Sequence, residues 1–200
     1  MPFLLEILDF FKNQKNKIDD VLKKDFEKKT LIFATAYGIT LWAQMLKSAG
    51  AGDNLGFWGL FIGILITGSL VGLAIFYFFS FILSRIIEIF GIKFSYKSCQ
   101  KVYIWCLSPF IISAILILIE FAIGGSNIYT KAFISSPSNS GFIASFISIL
   151  LFINTFISIF FIVTLTKVLS YVLKIKWWKA LLIMFISAMI TMLPLFLLKF

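Results

Sequence analysis

Residues 70–118 read LVGLAIFYFFSFILSRIIEIFGIKFSYKSCQKVYIWCLSPFIISAILIL, and how this stretch folds decides the rest. One apolar run ends at Arg85. A short basic connection carries Lys93, Lys97 and Lys101, and a second apolar run leaves, interrupted early by Pro109. Two membrane-length segments joined by a small positive loop predict a transmembrane hairpin. Lys and Arg concentrate on the cytoplasmic side of membrane proteins, so the loop charge sets the orientation.

Composition agrees with that reading. The chain has 200 residues, 60% of them hydrophobic and 25 of them Phe, and a mean hydropathy of +1.02. A soluble domain of this size has too little core to hide so much apolar surface. The natural solvent is therefore the lipid bilayer. The net charge of +9 does not point to nucleic acid, because the lysines sit between apolar runs and form no continuous basic face. Cys99 and Cys106 are read as free thiols, and there is no His. The first residues carry Glu6 and Asp9 within their apolar run, which does not suit a signal peptide.

Working outward, the span before the loop covers residues 57–84 without a charge. At about 1.5 Å per residue it exceeds a hydrocarbon core of about 30 Å, so it should tilt or continue as helix into the cytoplasm. Gly59 and Gly63 form one GxxxG pair on it, and Gly68 and Gly72 form another on the opposite side. Small residues let helix backbones approach, so both pairs are expected at helix contacts. The span after the loop covers 102–123. Pro109 should kink it, with the Ser108 hydroxyl a candidate to satisfy the freed carbonyl. Glu120 is the sole acid in a predicted span. It lies about a turn from the outer end, and an intramembrane carboxyl is a candidate functional group.

Three more spans complete the pattern, at 31–46, 142–166 and 180–198. The first is short and carries Thr35, Tyr37, Thr40 and Gln44, which should face other helices. The fourth carries Ser148, Thr155, Ser158 and Thr166 on one side, with Asn154 beside them. That stripe reads as hydrogen bonding between helices, or as a polar path. Ahead of the fifth span, Lys174, Lys176 and Lys179 surround Trp177 and Trp178, a composition suited to the headgroup level. Residues 1–29 hold seven Lys and six acids on a helical spacing of apolar residues, which predicts a short amphipathic cytoplasmic segment.

Lys and Arg number 7, 1, 4, 1, 4 and 1 through successive connecting segments. This alternation predicts an all-α polytopic membrane protein, a bundle of five transmembrane helices with the N-terminus cytoplasmic and the C-terminus outside. Residues 1–29 are the cytoplasmic segment and 30–200 the membrane domain. The membrane is the inner one in a prokaryote and the ER or Golgi in a eukaryote. There is no GxSxG, HExxH, P-loop or GxGxxG, so the chain reads as non-enzymatic, with no catalytic, cofactor or metal site.

The hairpin resembles the Yip membrane family (Ypt/Rab-interacting proteins) in its compact prokaryotic form. Gly91-Ile92-Lys93-Phe94-Ser95-Tyr96-Lys97 is similar to the family's Gly-Gly-Lys-x-Ser-Phe-Lys, with Ile92 in place of the second Gly. Tyr103 to Pro109 is similar to its aromatic stretch ending in Pro. Lys176-Trp177-Trp178-Lys179-Ala180 matches the latter half of a segment before the family's fifth span. Of the Asp-Leu-Tyr-Gly-Pro motif in eukaryotic members, Tyr37-Gly38 remains. The resemblance implies five spans and a non-enzymatic scaffold or adaptor that recruits partners. Arg85, Lys93, Lys97, Lys101, Lys174, Lys176 and Lys179 are then candidate docking residues, and the partners are the lipid bilayer, a membrane or cytoplasmic protein, and a second copy as a homodimer. A different reading, from the intramembrane polar candidates Glu120 and Asn154, the hydroxyl stripe of the fourth span and the kinks at Pro109 and Pro194, is a small permeation or lipid-handling protein.

Overall fold

The computed structural model describes residue 22 and residues 27–135 and 141–197. The predicted amphipathic segment lies almost wholly outside these residues. Every described element is helical: α1 Glu27–Ser48, α2 Phe57–Ile62, a π-turn Gly63–Thr67, α3 Gly68–Ile89, α4 Tyr96–Cys106, α5 Phe110–Gly124, α6 Lys131–Ser135, α7 Gly141–Val172 and α8 Trp177–Leu197. Short 3-10 turns sit at Ala51–Asp53 and Asn127–Tyr129. Two helical runs, Phe57–Ile89 and Ser145–Val172, are long and apolar enough to cross a membrane. The broken pair α4 and α5 makes a third if taken as one span. Trp177–Leu193 is a shorter apolar helix.

The described residues form two compact units. One holds residues up to Thr30, Ile75–Ser108 and 160–197, and the other Leu31–Ala74 and Pro109–Ile159. In the first unit, the buried Tyr103 ring stacks on Phe76 at 5.7 Å and lies 4.4 Å from Phe79 and 6.1 Å from Phe161. In the second, Ala43, Leu60, Ile64, Ile117, Phe121, Ile128, Tyr129 and Ile147 make one core cluster. Phe57 and Phe61 add their rings to Phe121 at 4.7 and 5.7 Å.

The second predicted span continues as helix to Ile89, five residues past Ser84. It ends in a Schellman turn: Ile92 N–H donates to Ile87 O at 3.2 Å and Gly91 N–H to Glu88 O at 2.9 Å. Gly91 takes the left-handed position, with φ 78°, where a residue without Cβ is unstrained. Ser95 then caps α4, its hydroxyl accepting from Ser98 N–H at 3.2 Å. The motif Gly91 to Lys97 is thus a helix stop followed by a helix start.

The third predicted span differs from expectation at Pro109, where the helix breaks instead of kinking. Residues 107–109 form a turn between α4 and α5. The Trp105 carbonyl accepts from the Ser108 backbone N–H at 3.2 Å, not from the Ser108 hydroxyl, which is buried and has no partner among the described residues. Pro109 sits at the start of α5, where its missing N–H would be unpaired in any case. A local turn closes the gap more cheaply than a distant side chain.

Candidate functional site: a buried ion pair and two basic turns

Glu120 does not stand alone. In the second unit its carboxylate accepts a hydrogen bond from the Lys47 ammonium. The Glu120 side chain is 8% exposed and that of Lys47 20%. Helical phase explains the carboxyl's position. Ser113, Ile117, Glu120 and Phe121 follow one stripe of α5, all buried, so a polar residue in phase with the apolar stripe points inward. Asn154 is in phase with Ile147, Leu150 and Ile157 on the buried stripe of α7. Its side-chain oxygen accepts from the Ser113 hydroxyl. α1 and α5 are thereby joined by an ion pair, and α5 and α7 by a hydrogen bond. Burying a charge is tolerable only when it is paired.

Beside the pair lies a cavity of about 20 Å³, lined by Gln44, Lys47, Glu120, Tyr129 and Asn154 among others. That is room for about one water. Tyr129 is buried, and its burial pushes the phenol pKa up, with the Glu120 carboxylate adding to the effect. One more tie lies between the turn after α1 and the start of α6: Asp53 accepts from the Lys131 backbone N–H at 3.2 Å. Sequence inspection found Glu120 and Asn154 but not Lys47. The available signal was a lone Lys and a lone acid, each near the outer end of a predicted span.

Three hydroxyls of the α7 stripe bond first to their own helix. Thr155 donates to Leu151 O, Ser158 to Asn154 O and Thr166 to Ile162 O, at 2.8–3.0 Å. Each hydroxyl is satisfied by the carbonyl one turn back. Thr166 also lies 3.6 Å from the Met184 sulfur.

The two glycine pairs have different surroundings. A Cβ on Gly72 would lie 2.1 Å from the Ala34 carbonyl oxygen and 2.7 Å from Gly38 Cα, and one on Gly68 3.0 Å from Ile39 Cα. Here α1 and α3 pack backbone to backbone. A Cβ on Gly63 meets nothing within 4 Å, and one on Gly59 meets only Leu55 of the adjoining turn.

The basic residues belong to the first unit. Among the described residues it holds ten of the twelve Lys and Arg with two acids, and the second unit holds two of each. Arg85, Lys93, Lys97, Lys174, Lys176 and Lys179 are exposed, and Lys101 is half-buried. Arg85 pairs with Glu88 at 2.8 Å, and Lys101 donates to Leu22 O at 2.7 Å. The turn after α7 repeats the Schellman geometry: Ile175 N–H donates to Ser170 O at 3.1 Å and Lys174 N–H to Tyr171 O at 3.3 Å. The left-handed position here is Lys174, with φ 54°. No protein-family model, curated protein or solved structure matches the chain.

Proposed function

We propose that the chain is a five-span membrane scaffold, N-terminus in the cytoplasm and C-terminus outside, that recruits a cytoplasmic protein through its basic connecting segments without catalysing a reaction. The observation that carries this is the division of charge: the unit with the 85–101 and 167–179 segments has a large cationic excess, and the other is neutral. Cytoplasmic connections of membrane proteins have this bias. α1 and α8 supply the spans that raise the number from three to five. The Yip-like hairpin motif is consistent with a recruiting role. The test is crosslinking in native membranes followed by a mild-detergent pull-down. Reversing Lys93, Lys97 and Lys101 to Glu should abolish capture of the crosslinked protein while a reporter fusion still reads the C-terminus outside. Unchanged capture would move the docking face elsewhere.

The permeation or lipid-handling reading draws its support from the buried Glu120 and Asn154. It is the weaker one, because Lys47 already neutralises the carboxylate and the adjoining cavity has room for only about one water. Its test is proton and cation flux in liposomes. The parent and Glu120→Gln should both show the flux of empty vesicles, and flux above that level in the parent that Glu120→Gln changes would reverse the preference.

A further inference from the structure

The two basic turns of the first unit share a backbone geometry and differ in what they present. After α3, the left-handed position is Gly91, and Arg85 beside that turn is matched by Glu88. After α7, it is Lys174, a residue that pays a Cβ penalty where glycine would not. Strain kept on an exposed charged residue asks for a use. The turn around it is held firmly, because Ser170 Oγ donates to Ile175 O at 2.7 Å. Lys174, Lys176 and Lys179 are exposed, and Trp177 and Trp178 are 64% and 49% exposed. The Lys179 ammonium sits 5.6 Å from the Trp178 ring. No Asp or Glu occurs anywhere in residues 121–200, and among the described residues none of the three lysines has a carboxylate partner.

We propose that the turn Lys174–Lys179 is a binding site for anionic phospholipid headgroups of the cytoplasmic leaflet. The inference rests on the orientation adopted above. Three cations with no carboxylate partner among the described residues complement a phosphodiester, and the leaflet facing the cytoplasm carries the anionic lipid. The indoles favour lipid over a soluble protein. They stand at the first turn of the apolar helix Trp177–Leu193, the position where an aromatic ring settles at headgroup level. Lys93, Lys97 and Lys101 have no exposed Trp among them and are left for the protein partner.

The test uses the full chain in detergent, titrated with short-chain phosphatidylglycerol, phosphatidylcholine of equal chain length, and inorganic phosphate, with native mass spectrometry as readout. Phosphatidylglycerol should bind in preference to phosphatidylcholine. K174Q/K176Q/K179Q should weaken it roughly 100-fold, from about 1 kcal/mol per Lys near an anionic surface, and the corresponding triple Arg variant should retain it. Lys174→Gly should weaken lipid binding while raising Tm by about 2 °C, since it relieves the backbone. Equal binding of the two lipids overturns the proposal. So does competition by phosphate at the same concentration, or a triple Gln variant with unchanged binding. Lys93, Lys97 and Lys101 reversal tests the scaffold reading separately, so loss of lipid preference with partner capture intact would sink only this inference.

Discussion

In one unit of this chain, Lys47 meets Glu120 and Asp53 accepts from the backbone of Lys131. In the other, eight described cations remain in excess, and six of the seven candidate docking residues are exposed. Both units are built of apolar helices, yet one ties half of its four described charges into a buried pair and the other displays most of its cations. The difference follows from where a charge sits. A carboxyl on the buried stripe of α5 has room beside it for about one water, too little to hydrate a charge, so that charge needs a cation opposite. A lysine in a connecting turn is hydrated and needs no partner. Most cations of the first unit are thus available for binding, whereas the buried charge of the second is a structural tie.

The sharpest way to break this contrast is Glu120→Gln. It leaves Lys47 without its anion, and removing one partner of a buried pair costs about 3–5 kcal/mol. We expect the lower end, because Lys47 keeps 20% exposure. Thermal unfolding in detergent, followed by helical circular dichroism, should show a large fall in Tm. The double change Lys47→Met with Glu120→Leu should restore most of it. In the first unit, Arg85→Ala should shift stability by less than about 0.5 kcal/mol, since exposed pairs contribute little. If Arg85→Ala costs as much as Glu120→Gln, the contrast between the units is wrong.

The next effect concerns the glycines. Gly72→Ala forces a Cβ to within 2.1 Å of the Ala34 carbonyl oxygen. The helices must separate, at a cost of about 3 kcal/mol. Gly63→Ala meets open space and should be neutral or stabilising by up to about 1 kcal/mol, the helix preference of Ala over Gly. A matching loss at both sites would mean that the Gly59–Gly63 face is packed against a second copy, which size-exclusion chromatography with light scattering would then show.

The smallest effect is a pH dependence at the polar site. The Tyr129 pKa is raised by burial and by Glu120, so the folded state holds the phenol proton more tightly than the unfolded chain. That contribution is complete below the ordinary value near 10 and is lost as pH rises through and above it. Between pH 8 and 11, stability should fall more steeply in the parent than in Tyr129→Phe. Equal slopes would remove Tyr129 from the site's electrostatics.

Much of the helical architecture was legible in the residues. Charge-free apolar runs fixed the positions of α3, α5 and α7, because lipid accepts only segments whose backbone bonds are internal. Gly91 and Ser95 marked the stop of α3 and the start of α4 through local chemistry alone. The α5 break at Pro109 was half legible. The proline was visible, but its carbonyl could be satisfied by more than one group, and proximity in the turn chose the Ser108 backbone. Of the α7 hydroxyls, Thr155, Ser158 and Thr166 each reach a carbonyl one turn back, and Thr166 also lies within reach of Met184 on α8, so the near backbone shares in a stripe whose composition points toward other helices.

The site was legible only in part. That Glu120 and Asn154 face inward follows from their phase with buried neighbours seven or fewer residues away. That Lys47 is the cation opposite Glu120, and that Gly38 is the surface opposite Gly72, cannot be read from either partner's surroundings. Those pairings join residues 73 and 34 positions apart. The amino-acid sequence by itself determined which segments are apolar helices, where they stop and where the cations accumulate, since these depend on each residue and its near neighbours. Only the tertiary structure decided which charge is neutralised and which glycine is covered, because long-range packing brings together side chains that carry no record of one another.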